Sequence, residues 1–361
     1  MAIFSKLGLI AVCAWLAMTS GPAFAASPAA IADLRPAAED AARVLAETYQ
    51  PARGQWRGVN WWQSANAVTA LIDWMQATGS RRYLPLAAEV FEKNLSYELG
   101  DFKADSTDDT AWWALAWLRL YDLTHEPRYL AVARIDEAYI HSFWDPVCGG
   151  GVWWDVPQKT YKNAISNELY LSLTAGLHNR IAGDRLYLAR ARRAWAWLRR
   201  SGMINRDHLV NDGLSRQGGR CVNNGGATFT YNQGVVLGGL VELARAERDP
   251  RPLAAARRIA EAAMTSPLLS PGGIVTEPCE AADACAGDAE SFKGIFVRNL
   301  GELDRALPGR PYQRYLQAQA ASMIGHARNG AGAYGLRWAG PFDSTDAARQ
   351  QDAVDLLSAL L

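Results

Sequence analysis

Five tight turns, GSRRYL (79–84), EPRYL (126–130), GDRLYL (183–188), DPRPL (249–253) and PGRPYQRYL (308–316), constrain this chain more than any other feature. Gly or Pro ends one helical pattern in each, and Pro suits the first turn of the next. The stretches after the turns, such as LARARRAWAWLRR (188–200) and PLAAARRIAEAAM (252–264), are alanine-rich with helical spacing. The stretches that lead into them differ. WQSANAVTALIDWM, DDTAWWALAWLRLY, SNELYLSLTAGL, TYNQGVVLGGLVEL and FKGIFVRNLGEL open on polar or aromatic residues and then turn apolar nearly all round. A sixth, STDAARQQDAVDLL, ends the chain. A helix apolar on every face is buried. With a first helix over about 28–49, this predicts six inner and six outer helices and no convincing strand.

Paired helices fit an open solenoid or a closed toroid. Solenoid repeats keep a fixed period. Here the inner helices begin near 64, 108, 166, 231, 290 and 345, at uneven spacing. Long Gly- and Trp-rich segments precede them, such as 148–163 and 211–229. Irregular loops on one rim and tight turns on the other predict an all-α (α/α)6 barrel.

The opening MAIFSKLGLIAVCAWLAMTSGPAFA reads as a signal peptide over 1–25: one lysine, a short apolar run and an A-x-A cleavage site. Residues 26–361 are then one domain of a secreted or periplasmic protein, with no membrane span after cleavage. Cys148, Cys221, Cys279 and Cys285 remain. An even number in an oxidising compartment predicts two disulfides: Cys279 with Cys285 across a short loop, and Cys148 with Cys221 by elimination. Basic and acidic residues balance at 37 each, which argues against nucleic acid as a partner. The five histidines show no ligand spacing, and neither metal nor cofactor is expected.

In such a barrel the starts of the inner helices meet at one mouth. That would gather Trp61, Trp62 and Gln63; Asp108 and Asp109; Asn167 and Glu168; Tyr231, Asn232 and Gln233; and Lys293 and Arg298. Amides, carboxyls and flat indoles suit a hydroxyl-rich ligand. Glycosidic cleavage uses two carboxyl groups, about 5–5.5 Å apart in retaining enzymes and about 6.5–9.5 Å apart in inverting ones. Adjacent helical residues have Cα atoms about 3.8 Å apart and reach the shorter distance more readily, which favours retention. Two close carboxylates also resist joint ionisation, leaving one acid and one anion. Lys293 or Arg298 would decide which stays charged. Aspartates at a helix start equally serve as caps or dipole partners, so the pair alone does not decide.

The pieces DDTAWWALAWLRLYD (108–122), GGVWWD (150–155), NAISNELYLSL (163–173), LVNDGL (209–214), TYNQGVVLGGLVEL (230–243) and FKGIFVRNL (292–300) together resemble glycoside hydrolase family 76, the endo-α-1,6-mannanases. The resemblance covers most of the chain after the leader. It implies an (α/α)6 barrel that hydrolyses α-1,6-mannan or manno-oligosaccharides with retention, Asp108 as nucleophile and Asp109 as general acid/base. It implies sugar contacts at Trp62, Gln63, Asn167, Asp212, Tyr231, Asn232 and Gln233. A monomer is expected. A mannan transglycosidase of the same fold and a non-catalytic glycan-binding protein are the alternatives.

Overall fold

Burial divides the helices into the two expected kinds. The structure, a computed structural model, describes residues 33–361; the leader and its cleavage site lie outside the described residues. Twelve α-helices run through the described residues: α1 (Arg35–Glu47), α2 (Trp61–Thr78), α3 (Leu84–Asn94), α4 (Thr107–Thr124), α5 (Pro127–His141), α6 (Ala164–Arg180), α7 (Leu186–Ser201), α8 (Thr230–Glu247), α9 (Arg251–Thr265), α10 (Phe292–Ala306), α11 (Gln313–His326) and α12 (Ala347–Leu360). The even-numbered helices are the apolar ones. In α6 every residue from Ala164 to Leu177 is buried. The odd-numbered helices bury one stripe each; α7 buries Tyr187, Ala191, Ala194, Trp197 and Leu198, the spacing of one helical face.

Packing closes the ring. Helix α2 packs on α4, α4 on α6, α6 on α8, α8 on α10, α10 on α12, and α12 returns to α2. The odd-numbered helices form an outer layer, α3 on α2, α5 on α4, α7 on α6, α9 on α8 and α11 on α12. The last pair joins the two ends of the fold, because α1 packs on α12. This is the (α/α)6 toroid. Glycines let the inner helices approach closely: a Cβ on Gly234 would lie 2.6 Å from the Phe296 Cα, and one on Gly294 2.4 Å from the Asp352 Cα.

Of the five turns, the first caps its helix with glycine and the other four with His125, Ile181, Arg248 and Leu307. Gly79 and Gly202 end α2 and α7 in the left-handed conformation. His125 and Arg248 occupy the same conformation after α4 and α8. Both expected disulfides are present, Cys148–Cys221 and Cys279–Cys285. The expectation of no strands needs correction. Two short antiparallel hairpins occur, β1 (Tyr49–Gln50) with β2 (Gln55–Trp56), and β3 (Leu214–Gln217) with β4 (Arg220–Asn223). The second turns on Gly218-Gly219, both at positive φ, a two-glycine hairpin signal. Among the described residues no helix is long and apolar enough to cross a membrane.

Candidate active site

Five inner helices open at their N-terminal ends onto one cavity of about 680 Å³. Trp62 enters it from α2, Asp108, Asp109 and Trp112 from α4, Asn163 from the cap of α6, Tyr231 from α8 and Phe292 from α10. Loop residues complete the wall: Asn60, Asp105, Trp154, Tyr161, Asp212 and Asp288 among them. No Lys, Arg or His lines it.

The start of α4 is held by the loop that crosses it. Thr107 donates its N–H to the Trp154 carbonyl at 2.9 Å and its hydroxyl to the Trp153 carbonyl at 2.6 Å. Ser106 bridges to Asp155, and the Val156 N–H meets the Asp105 carbonyl at 2.8 Å. The GGVWWD segment is therefore an edge laid against the helix entrance. Asp155 anchors its far side by accepting from the N–H and hydroxyl of Thr160 and the N–H of Tyr161. These hydrogen bonds, opposed by burial, hold its carboxyl below the ordinary range.

Asp108 and Asp109 occupy the first turn of α4, where partial positive charge from free N–H groups favours anions. They titrate apart. Burial pushes Asp108 up to about 6, against the opposing pull of backbone N–H groups and of the Trp154 and Ser106 side chains. Burial, then the charges of Asp108, Asp288 and Glu98, push Asp109 well above the carboxylate range. Both carboxyls are thus pushed up, Asp109 the further of the two.

Aromatic rings wall the cavity. Trp62 stacks on Trp112 at 5.6 Å and 26°, and Tyr231 lies flat on Phe292 at 3.8 Å and 8°. The chain has three Trp-Trp pairs here, and each splits. Trp62, Trp112 and Trp154 line the cavity, while Trp61, Trp113 and Trp153 are buried beside it. Adjacent residues diverge by about 100° on a helix and point oppositely in an extended segment, so only one of each pair reaches the mouth.

Of the residues expected at the site, Asp108, Asp109, Trp62, Asp212 and Tyr231 are brought together. Asp212 accepts the Tyr161 hydroxyl. The others do not line this cavity. Trp61 gives its indole N–H to Asn94 at 3.0 Å and stacks on Tyr97. Gln63 completes the capping box of α2 and donates to the Gly287 carbonyl and the Ser291 hydroxyl, each at 3.0 Å. Asn167 accepts from the Val152 N–H and donates to its carbonyl, at 2.8 and 3.1 Å. Gln233 does the same to Val210 at 2.7 and 2.9 Å. These amides pin the loops, since a carboxamide can accept from one backbone N–H while its amide group donates to a carbonyl. Lys293 pairs with Glu280 at 2.8 Å, and Arg298 with Asn66 at 2.6 Å and Asp355 at 3.4 Å. Neither cation lines the cavity or sets the charge on the aspartates. Glu168 and Asn232 are fully buried, and burial drives the Glu168 carboxyl far up. Sequence reasoning missed Asp105, Tyr161 and Asp288, which are single polar residues in loops without periodicity.

The sequence model of glycosyl hydrolase family 76 matches residues 34–361. A Schizosaccharomyces pombe protein provisionally named a mannan endo-1,6-alpha-mannosidase is 27% identical over 259 residues, 66% of this chain and 57% of that protein. The mannan endo-1,6-alpha-mannosidase DFG5 of Saccharomyces cerevisiae is 28% identical over 183 residues, 49% of this chain and 40% of that protein. The matched stretch thus spans about half the length of these relatives. Among solved structures, an inactive variant of the alpha-1,6-mannanase GH76A of Salegentibacter sp. HEL1_6, carrying two adjacent aspartate-to-alanine changes and bound to alpha-1,6-mannotetrose, superposes with a TM-score of 0.83. It is 25% identical, and the match covers 91% of this chain and 99% of that one. With a ring of six helical pairs and a family match along nearly its whole length, this chain belongs to glycosyl hydrolase family 76.

Proposed function

We propose that this protein is a retaining glycoside hydrolase acting on α-1,6-linked mannan or manno-oligosaccharides outside the cytoplasm. The observation that carries this reading is the Asp108–Asp109 pair, adjacent in sequence at the head of a tryptophan-walled cavity. The chain has one such aspartate pair, and the Salegentibacter mannanase is inactive when two adjacent aspartates are replaced. The two disulfides support an oxidising compartment.

In the first half-reaction an Asp108 oxygen attacks C1 of the mannosyl unit as the bond from C1 to the leaving oxygen breaks. Asp109 gives its proton to that oxygen. In the second, the Asp109 carboxylate takes a proton from water, whose oxygen attacks C1 and releases Asp108. The helix start stabilises the Asp108 anion before attack and receives it again at release. The Trp62–Trp112 stack and the Tyr231 face supply flat surfaces for pyranose rings.

The test is incubation with linear α-1,6-mannan, with the first-formed anomer read by NMR. Retention of the α-anomer is expected. Asp108→Asn and Asp109→Asn should each abolish release of manno-oligosaccharides. A β-anomer formed first, or near-normal turnover in either variant, removes the assigned roles. Chain lengthening on an added acceptor sugar would mark a transglycosidase instead.

A further inference from the structure

The turn before α10 reaches across the mouth. Asp288 lies in a 3-10 turn, Gly287–Ser291, and its Oδ1 accepts from two donors at the start of α2: the Trp62 indole N–H at 2.9 Å and the Asn60 side-chain amide at 2.8 Å. The turn is itself fastened. Gln63 donates to Gly287 and Ser291, Arg349 pairs with Glu290 at 2.9 Å, and the Cys279–Cys285 bridge closes the segment just before it. Trp62 is the ring that stacks on Trp112 and faces Phe292. Its orientation about the side-chain bonds is set from outside its own helix, by a carboxylate on a neighbouring loop.

We infer that Asp288 is a positioning residue with two roles: its carboxylate fixes the Trp62 platform against Trp112, and it adds a carboxyl group to the cation-free cavity that holds Asp108 and Asp109. This rests on the proposed glycosidase reading. The charges around Asp109 all have one sign. Asp108 stands beside it on α4, Glu98 approaches from the turn after α3, Asp288 from the turn before α10, and Asp105, Asp155 and Asp212 line the rest of the cavity, with no cation among the lining residues. The Ser106 side chain is the neighbour that opposes them by hydrogen bonding. Asp288 also holds an aromatic wall of the cavity through Trp62, so the two roles separate by substitution. Asparagine keeps an acceptor oxygen for Trp62 and Asn60 and removes the charge. Alanine removes both.

The experiment compares wild-type, Asp288→Asn and Asp288→Ala full-length mature enzyme on linear α-1,6-mannan across pH, alongside the ¹⁵N-indole spectrum without sugar, with the Trp62 resonance assigned by Trp62→Phe. For Asp288→Asn the alkaline limb of kcat/KM is expected to move to lower pH while the Trp62 resonance stays in place. For Asp288→Ala, KM is expected to rise roughly threefold to tenfold, the scale of one lost aromatic arrangement, and the Trp62 resonance to move upfield. An unmoved alkaline limb in Asp288→Asn, or an unmoved Trp62 resonance in Asp288→Ala, overturns the assignment. Absence of mannan cleavage by the wild-type enzyme would instead count against the glycosidase reading, and the indole spectrum would still decide the Asp288 contact.

Discussion

Replacing Asp108 by asparagine should make the protein inactive and more stable, and the sign of the stability change separates catalysis from capping. Burial raises the Asp108 carboxyl from its ordinary 3.8 to about 6. Two pKa units correspond to about 3 kcal/mol by which the folded state disfavours the anion relative to the unfolded chain. The sign runs with pH. Below the unfolded value both states are protonated and the penalty is absent. It grows as pH rises and is complete above the folded value near 6. Asparagine is nearly isosteric and never ionises, so at pH 7 the variant gains at most about 3 kcal/mol. At roughly 2.1 cal/mol/K per residue over about 330 residues, a gain of 2–3 kcal/mol is a rise in Tm of roughly 3–4 °C. The assay is denaturant unfolding at pH 7 and at pH 4. If Asp108 merely served the helix dipole, its loss would instead destabilise by about 0.3–1 kcal/mol at neutral pH. A variant less stable than wild type at pH 7, or equally stabilised at both pH values, refutes the reasoning.

Three further outcomes follow from the same geometry. Because Asp108 must be ionised to attack, kcat/KM on α-1,6-mannan should fall about tenfold per pH unit on the acid side of about 6; a flat profile down to pH 4.5 would exclude Asp108 as the nucleophile. Gln233→Ala leaves the Val210 N–H and carbonyl unpaired in a buried site, so stability measured by urea unfolding should drop by about 1–3 kcal/mol, and the loosened 209–214 segment that carries Asp212 should raise KM more than it lowers kcat. Removing Cys148–Cys221, which spans 73 residues, should destabilise by about 4 kcal/mol, against about 2 kcal/mol for Cys279–Cys285, which spans 6; equal losses by thermal unfolding would contradict the chain-entropy account.

The toroid was legible because its signals are repeated and local. A buried helix has apolar residues on all sides, a surface helix has one stripe, and Gly or Pro marks the turns. Six repetitions of that contrast leave little choice of architecture. The placement of Asp108 and Asp109 together at the mouth was legible because adjacency is itself a distance restraint. The remaining rim was not, and the reason is the carboxamides. Gln63, Asn167 and Gln233 sit where a sugar-binding amide would sit, one turn into an inner helix. Whether such a group meets a ligand or a loop depends on whether the preceding loop folds back over the helix start. Here it does for two of them, Val152 over Asn167 and Val210 over Gln233, while Gln63 is met by the turn before α10. The Trp-Trp pairs were ambiguous for a simpler reason: the sequence names both rings, and only the phase of the helix or strand says which one faces the cavity. Asp288 had no local signal, since its partners lie more than 200 residues away in α2 and its cap.

The distribution of charge along the ring axis explains why this fold tolerates so many acids at one mouth. The six inner helices run parallel, so their dipoles add: N-termini at the cavity, C-termini at the opposite end. Carboxylates gather at the first end, where Asp105, Asp108, Asp109, Asp155, Asp212 and Asp288 surround one space. Arginines gather at the second, where Arg180, Arg245 and Arg305 lie in the last turns of α6, α8 and α10, with Arg119 and Arg298 between them. Each end complements the partial charge of the helix termini it meets. The two ends differ in one respect that matters for chemistry. The arginines are mostly paired, Arg119 with Asp73 and Glu302, Arg180 with Asp122 and Glu242, Arg298 with Asp355. The aspartates of the cavity have no cation. The paired end adds to the rigidity of the ring. The cation-free end leaves its acids unneutralised, and their like charge adds to burial in pushing the Asp109 carboxyl up.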